Sequence, residues 1–252
     1  MRWLTLGSGT LVPHAERASA GHALLHGEET FVFDLGRGVV QRMCENGIDP
    51  LGLTRLHFSH FHPDHSCDLV PLLFAMNYAP EPPREEPLHI VGPTGLAVFF
   101  EGLCAVWPWL RPKFALELEE RSSAAWKVGE IEFHSLPLFH GDRPNLGYRL
   151  ELAGRTLAYT GDTGPCDALL SLASGVDILV SECSYPDGRA RAKHMSPTPL
   201  GRAATAAGVR TLVVSHVLPP PLGAEHGGIL EELRCVFDGE IFMAYDGFSI
   251  EV

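Results

Sequence analysis

Six residues, His60-Phe61-His62-Pro63-Asp64-His65, carry three imidazoles and a carboxylate at the end of the apolar run Leu56-His57-Phe58-Ser59. Any fold open to this chain must bring that string to a place where so many donors are useful. Imidazole and carboxylate bind zinc, manganese or iron, and four of them in six positions are too many for one tetrahedral ion. The spacing therefore points to two metals. His60 and His62 stand two apart and point the same way from an extended segment, whereas Asp64 and His65 follow a proline that turns the chain. One pair suits one ion and the other its neighbour. A lone histidine at a strand end is more often a packed or solvated side chain, and the chain holds 13 of them. The density of donors, not any single one, carries the metal reading.

Three more positions repeat the pattern of a strand that ends on a ligand-type residue: His140 after Ser135 to Phe139, Asp162 after Leu157 to Gly161, and His216 after Thr211 to Ser215. Strand ends on a rigid scaffold are where loops that do chemistry take their side chains from. Asp162 alone would read as an ordinary turn residue in Gly161-Asp162-Thr163. Taken with the first motif it completes seven candidates, His60, His62, Asp64, His65, His140, Asp162 and His216, a set that suits two ions sharing one bridging carboxylate.

The remaining chain reads as short strands separated by helices and turns. Strands are expected over 3–6, over 22–26 and 30–34 as a hairpin, and at 56–59, 89–93, 126–128, 130–137, 146–152, 156–159, 178–181, 212–215, 240–244 and 248–251. Helices are expected over 39–44, stopped at Asn46-Gly47, and over 69–77, 94–104 with Thr94 as N-cap, 166–173, 199–207 and 229–237. The stretch 79–87 is a surface loop, and 107–112, with Trp107 and Trp109 between prolines, is irregular. Strands with helices in both halves predict two sheets face to face with helices outside them, a four-layer α/β/β/α sandwich in one domain spanning 1–252.

Composition narrows the function. Lys and Arg total 19 against 31 Asp and Glu, a formal charge of -12, which argues against a surface dedicated to gripping polyanions. Six scattered cysteines without a C-x-x-C pair read as reduced thiols in a cytosolic protein. The glycine-broken start Leu6-Gly7-Ser8-Gly9 is unlike a secretion signal, and no run of about 18 apolar residues is present, so export and membrane spanning are not expected.

The chain resembles the metallo-β-lactamase fold superfamily in its ribonuclease Z-like phosphodiesterase branch. The motifs that carry the likeness are Leu6-Gly7-Ser8-Gly9-Thr10, Arg17-Ala18-Ser19, Phe33-Asp34-Leu35-Gly36, the His60 to His65 string, Gly161-Asp162-Thr163, Ser215-His216 and Tyr245-Asp246-Gly247. The resemblance implies an αββα sandwich of two mixed sheets. It further implies that His60, His62 and His140 hold one zinc, that Asp64, His65 and His216 hold the other, and that Asp162 bridges them. Ser181-Glu182-Cys183 and Ala192-Lys193-His194-Met195-Ser196 look like the paired loops of ribonuclease Z relatives, in which the residue matching His194 donates a proton near the scissile phosphate and that matching Glu182 orients it. Asp64, Glu182 and His194 are thus the catalytic candidates. Histidines 14, 22, 26, 57, 89, 134 and 226 are left structural.

Two cations a few ångströms apart lower the pKa of a shared water and clamp the charge building on a phosphate, which makes a metal-bridging hydroxide the expected nucleophile. A histidine poised by a carboxylate then protonates the leaving group. Two Zn²⁺ ions are expected, with Mn²⁺ or Fe²⁺ as the alternatives these donors accept. A flavodiiron-type redox module is disfavoured, because such relatives carry a glutamate where His62 stands. The long arm with which ribonuclease Z grips tRNA, usually inserted between the positions matching His140 and Asp162, is absent: only residues 141–161 separate them. Substrate is therefore expected to be a small or cyclic phosphodiester, with nucleic acid disfavoured. The alternatives are a tRNA 3′-processing endoribonuclease, or a hydrolase of non-phosphate esters or lactones using Tyr185. The resemblance also implies a homodimer formed through the N-terminal side.

Overall fold

The computed structural model describes residues 1–79, 81–219 and 226–252, with the side chains of 226 and 227 excepted. Its elements run β1 (Arg2–Gly7), β2 (Gly21–His26), β3 (Glu29–Phe33), α1 (Val39–Glu45), β4 (Arg55–His57), α2 (Pro63–Ser66), α3 (Leu69–Tyr78), β5 (Leu88–Pro93), α4 (Leu96–Val106), β6 (Leu116–Arg121) and β7 (Ala124–Val128). The second half continues β8 (Ile131–His140), β9 (Arg143–Leu152), β10 (Arg155–Tyr159), α5 (Asp167–Ala173), β11 (Ile178–Glu182), α6 (Pro197–Ala207), β12 (Thr211–Ser215), α7 (His226–Arg234), β13 (Glu240–Met243) and β14 (Ser249–Glu251).

Among the described residues the strands form two seven-stranded sheets, ordered β14-β1-β2-β3-β4-β5-β6 and β13-β12-β11-β10-β9-β8-β7. Both are mixed: β3 to β6 run parallel, as do β10 to β13, while the rest pair antiparallel. The layering follows from strands that are apolar on both faces, as expected for sheets covered on each side. Alternate residues split between two cores. Trp3, Leu24, Phe31, Phe33, Phe133, Tyr148, Val180 and Val213 meet between the sheets. Their neighbours Leu4, Ala23, Val32, Leu56 and Ile90 pack outward against α1, α3 and α4, and Leu179, Leu212 and Val214 pack against α5, α6 and α7. The four-layer αββα sandwich is thus the observed architecture.

Several local readings need correction. Residues 116–121 form a strand at the edge of the first sheet that the sequence reading did not assign. Its Leu-Glu alternation has the period of a strand, but four charges in six residues mask it. Residues 108–110 make one 3₁₀ turn, held by the Asn77 amide donating to the carbonyls of Trp109 and Arg111 at 3.1 Å each. Gly95, in a left-handed conformation at φ 101°, and not Thr94, sits at the start of α4. The last helix begins at His226 and ends at Arg234, earlier than expected at both ends.

This topology sends the C-terminal ends of β3, β4, β8, β10, β11 and β12 to one edge of the sandwich. Cross-sheet hydrogen bonds close that edge: the Tyr148 hydroxyl donates to Phe58 O at 2.7 Å, and the Leu146 amide to Ser59 O at 2.9 Å. The Asp162, Glu182 and His216 positions therefore arrive beside the His60 to His65 string from the opposite sheet.

Candidate metal and catalytic site

After β4 the chain runs extended through Phe58 to His62 and then winds into α2, with Pro63 at the first helical position, where its missing N–H costs nothing. That single turn carries Asp64 and His65, and the His65 ring stays 4.1 Å from that of His60. The separation read from the proline is present: His60, His62, His140 and Asp162 gather in one group, and Asp64, His65 and His216 in a second, their donor atoms within 4.8 Å of one another in each. Asp162 faces both groups. Its Oδ1 lies 3.3 Å from His65 Nε2, and its Oδ2 3.9 Å from His140 Nε2.

Outer hydrogen bonds decide which nitrogen each imidazole turns inward. Asp34 accepts from the Ser59 amide at 2.7 Å, the Ser59 hydroxyl at 2.7 Å, the Tyr159 hydroxyl at 2.6 Å and His65 Nδ1 at 2.8 Å. Because the Ser59 proton goes to Asp34, Ser59 Oγ accepts from His60 Nδ1 at 3.0 Å. His140 Nδ1 donates to Lys193 O at 3.0 Å. His60, His65 and His140 consequently present Nε2 to the interior, whereas His62 presents Nδ1, 2.9 Å from His60 Nε2 and 3.3 Å from His140 Nε2. Converging nitrogens this close, beside a buried Asp162 Oδ1 without a hydrogen-bond partner, are left uncompensated by the protein alone and suit a divalent cation. Burial and the neighbouring His65 push His60 well below the usual imidazole range, which favours the neutral, ligating form. Burial opposes ionisation of Asp162, but His216 and His65 beside it hold its carboxyl well below the usual carboxylate range.

The backbone is shaped to fit. Asp34 takes a left-handed φ of 58° directly after β3, and the Leu35 amide then donates to His65 O at 2.7 Å. Gly36 passes so close to the motif that a Cβ there would lie 2.0 Å from the Asp64 carbonyl oxygen. Asp34, Ser59 and Tyr159 were assigned no role from sequence. A carboxylate immediately past a buried strand was the available signal for Asp34, but its partners lie up to 125 positions away.

On the rim, His194 Nδ1 sits 2.9 Å from Glu182 Oε1 and 3.0 Å from Oε2, with Asp162 Oδ2 at 3.8 Å. The Thr163 amide donates to Glu182 Oε1 at 2.7 Å. Burial works to lower the His194 pKa, but the Glu182 hydrogen bond and charge outweigh it and raise it to about 9. His194 Nε2 carries the proton on the side away from Glu182. The side chain is 19% exposed, enough for a substrate to meet it. Burial, followed by the nearby Asp162 charge, pushes Glu182 upward; its donors pull the other way, and with two N–H groups aimed at it we read it as the carboxylate. All nine candidates from the sequence thus meet at one edge. Of the histidines left structural, His22 and His57 are buried between the sheets, and the His226 side chain lies outside the described residues. All six cysteines are free. No described helix is long and apolar enough to cross a membrane.

The fold and this edge cluster define a metallo-β-lactamase fold hydrolase. Residues 33–217 match the family described as a beta-lactamase superfamily domain. The chain belongs to this superfamily, in its ribonuclease Z-like branch. It is 30% identical over 277 residues to the ribonuclease Z of Mycobacterium bovis, covering 98% of this chain and 96% of that one. Among solved structures, the metallo-beta-lactamase fold protein YhfI from Bacillus subtilis superimposes with a TM-score of 0.86 at 23% identity, covering 99% and 98% of the two chains. Human tRNase Z, short form, gives 0.81 at 20% identity over 100% and 99%. A superfamily of this fold implies divalent metal binding, in accord with the two donor groups.

Proposed function

We propose that the chain is a two-zinc phosphodiesterase acting on a small or cyclic phosphodiester. His60, His62 and His140 would hold one ion, Asp64, His65 and His216 the other, and Asp162 would bridge them. When bound, the two ions supply a water acidified toward neutrality and a clamp for charge on the phosphate oxygens. The protein supplies the rest. Asp34, Ser59 and Lys193 fix the imidazole orientations, so little reorganisation is needed at the moment of reaction. His194 holds its proton on Nε2 at the rim and gives it to the leaving-group oxygen, while Glu182 keeps the ring oriented and stabilises its charged form. Asp64 closes the second ligand group from the α2 turn.

The observation that carries this reading is the Glu182–His194 pair at 2.9 Å beside the donor groups. A histidine held in this way supports the reading, because a departing alkoxide needs a proton. A small substrate is supported by the stretch between His140 and Asp162, which is taken up by β9, β10 and tight turns and leaves no projecting arm. The acidic balance of 19 against 31 supports it too, since lysine and arginine contacts to phosphates dominate nucleic-acid affinity. Assaying zinc-loaded protein against bis(p-nitrophenyl) phosphate and a set of cyclic nucleotides tests the reading; no turnover of any phosphate ester would remove it.

The second reading is a tRNA 3′ endoribonuclease, favoured by the near full-length likeness to a relative named ribonuclease Z. Cleavage of a precursor tRNA that is abolished in His194→Ala would establish it. Failure to bind that RNA at low salt would end it.

A further inference from the structure

Ser184 follows β11 by two residues and is 2% exposed. Its hydroxyl lies between two buried groups of different function. On one side it hydrogen-bonds Glu182 Oε2, and on the other it stands 3.0 Å from His216 Nδ1. A hydroxyl has one proton to give, and an ionised carboxylate only accepts. Glu182 already receives the Thr163 amide and His194 Nδ1, so Ser184 donates to Glu182 and accepts from His216 Nδ1–H. Asp162 Oδ1 is also 3.4 Å from His216 Nδ1, but it makes no hydrogen bond, which leaves Ser184 as the acceptor. His216 Nε2 is thereby the inward atom, 3.3 Å from His65 Nε2 and 3.4 Å from Asp64 Oδ2.

We infer that Ser184 is a positioning residue that ties the proton-donor pair to the second metal group: through its hydroxyl, the carboxylate that orients His194 also fixes His216 as the Nδ1–H tautomer with Nε2 free to ligate. The inference rests on the proposed metal assignment. His60, His65 and His140 take their orientation from Ser59, Asp34 and the Lys193 carbonyl, so each can be perturbed separately from Glu182. His216 has no such independence. Among the described residues, Glu182 is the acceptor on which both His194 and, through Ser184, His216 depend, and a change at Ser184 is felt in metal retention before it is felt at the leaving group.

The test compares wild type, Ser184→Ala and Ser184→Thr in two measurements. In the first, ¹⁵N spectra of metal-free protein, with His216 assigned by its loss in His216→Gln, report the tautomer directly. Wild type and Ser184→Thr are expected to show Nδ1–H at His216, and Ser184→Ala a mixture or the Nε2–H form. In the second, zinc is titrated against a competing chelator. Ser184→Ala is expected to lose about 10- to 100-fold in affinity for one of two equivalents, the size typical of outer partners of ligating histidines, and Ser184→Thr to restore it. An unchanged His216 tautomer, or two equivalents bound by Ser184→Ala at wild-type affinity, overturns the inference. A wild type that binds fewer than two equivalents overturns the metal assignment instead, and the tautomer measurement still judges Ser184.

Discussion

His65 Nδ1 lies 2.8 Å from Asp34 Oδ2, an imidazole from the metal motif held by a carboxylate 31 residues earlier in the chain. Both side chains are buried, and the same carboxylate accepts from Ser59 and Tyr159. It thus couples the first sheet, the motif loop and β10 at one point. Asp34→Asn keeps the size and tolerance of the left-handed backbone but weakens four charge-assisted bonds. Zinc affinity is expected to fall about 10- to 100-fold. Competition with a chelator checks this, and an affinity equal to wild type would show that His65 is oriented by something else.

If His194 is the proposed proton donor, His194→Ala is expected to lower kcat by about 100- to 10,000-fold while leaving zinc content near two per chain. Glu182→Gln is expected to cost less on its own and to add little on top of His194→Ala, since the two act as a unit. Turnover of a substrate with a poor leaving group reads both effects. A p-nitrophenyl leaving group, which departs without help, should show the smaller loss in each variant.

The pH dependence follows from the same pair. The hydrogen bond and charge of Glu182 raise the His194 pKa above that of a free imidazole, so the proposed proton donor stays charged further into the neutral range, and kcat for poor leaving groups is expected to decline on the alkaline side. The pairing also contributes to stability. The folded pKa stands above the unfolded value near 6.5, so the contribution is complete below pH 6.5 and disappears between there and about 9. Removing Glu182's charge with Glu182→Gln should move the kinetic limb to lower pH, and a limb that stays in place would exclude His194 as the donor.

Buried neutral histidines act in the opposite direction. His57 sits at 1% exposure against Phe33 and Phe133, and burial, then the charge of Arg55, lowers its pKa to about 3. With a folded pKa below the unfolded value, its stabilisation is complete above pH 6.5 and is lost as pH falls toward 3. Each tenfold difference in proton affinity is worth about 1.4 kcal/mol. His57→Phe is expected to flatten the decline of Tm between pH 6.5 and 4, and an unchanged slope would contradict the assignment.

Gly36→Ala drives a Cβ to within 2.0 Å of the Asp64 carbonyl oxygen, a backbone atom that has no rotamer to escape into. A destabilisation of about 1–3 kcal/mol is expected from overpacking of this kind, which corresponds to roughly 2–4 °C in Tm for each kcal/mol in a chain of this size. Zinc binding should weaken alongside it, because Asp64 moves. Calorimetry of the metal-free and zinc-loaded protein checks both.

How much of this was legible beforehand divides along a physical line. The donors His60, His62, Asp64 and His65 are adjacent in sequence, and the apolar runs before His140, Asp162 and His216 mark strand ends, so a composite site and a layered sandwich were readable from local pattern. The roles of Asp34, Ser59 and Ser184 were not, because a hydrogen bond between Asp34 and Tyr159 or between Ser184 and His216 depends on where two sheets meet and leaves no local trace. The edge strand Leu116–Arg121 was missed for another reason: charge on an edge strand protects against unwanted pairing, and it makes the strand look like a loop. Trp107 and Trp109, in the stretch expected to be irregular, are 37% and 52% exposed just after α4.

The central claim, that nine side chains from several strand ends, the α2 turn and the loop before α6 form one two-zinc phosphodiesterase site, is tested most directly by steady-state hydrolysis of cyclic nucleotides and bis(p-nitrophenyl) phosphate. The protein should carry a measured zinc content, with Asp162→Asn as the control. Turnover that rises with zinc up to two ions per chain and vanishes in Asp162→Asn is expected. Turnover that saturates at one ion, or protein with two ions that hydrolyses no phosphodiester, would contradict it.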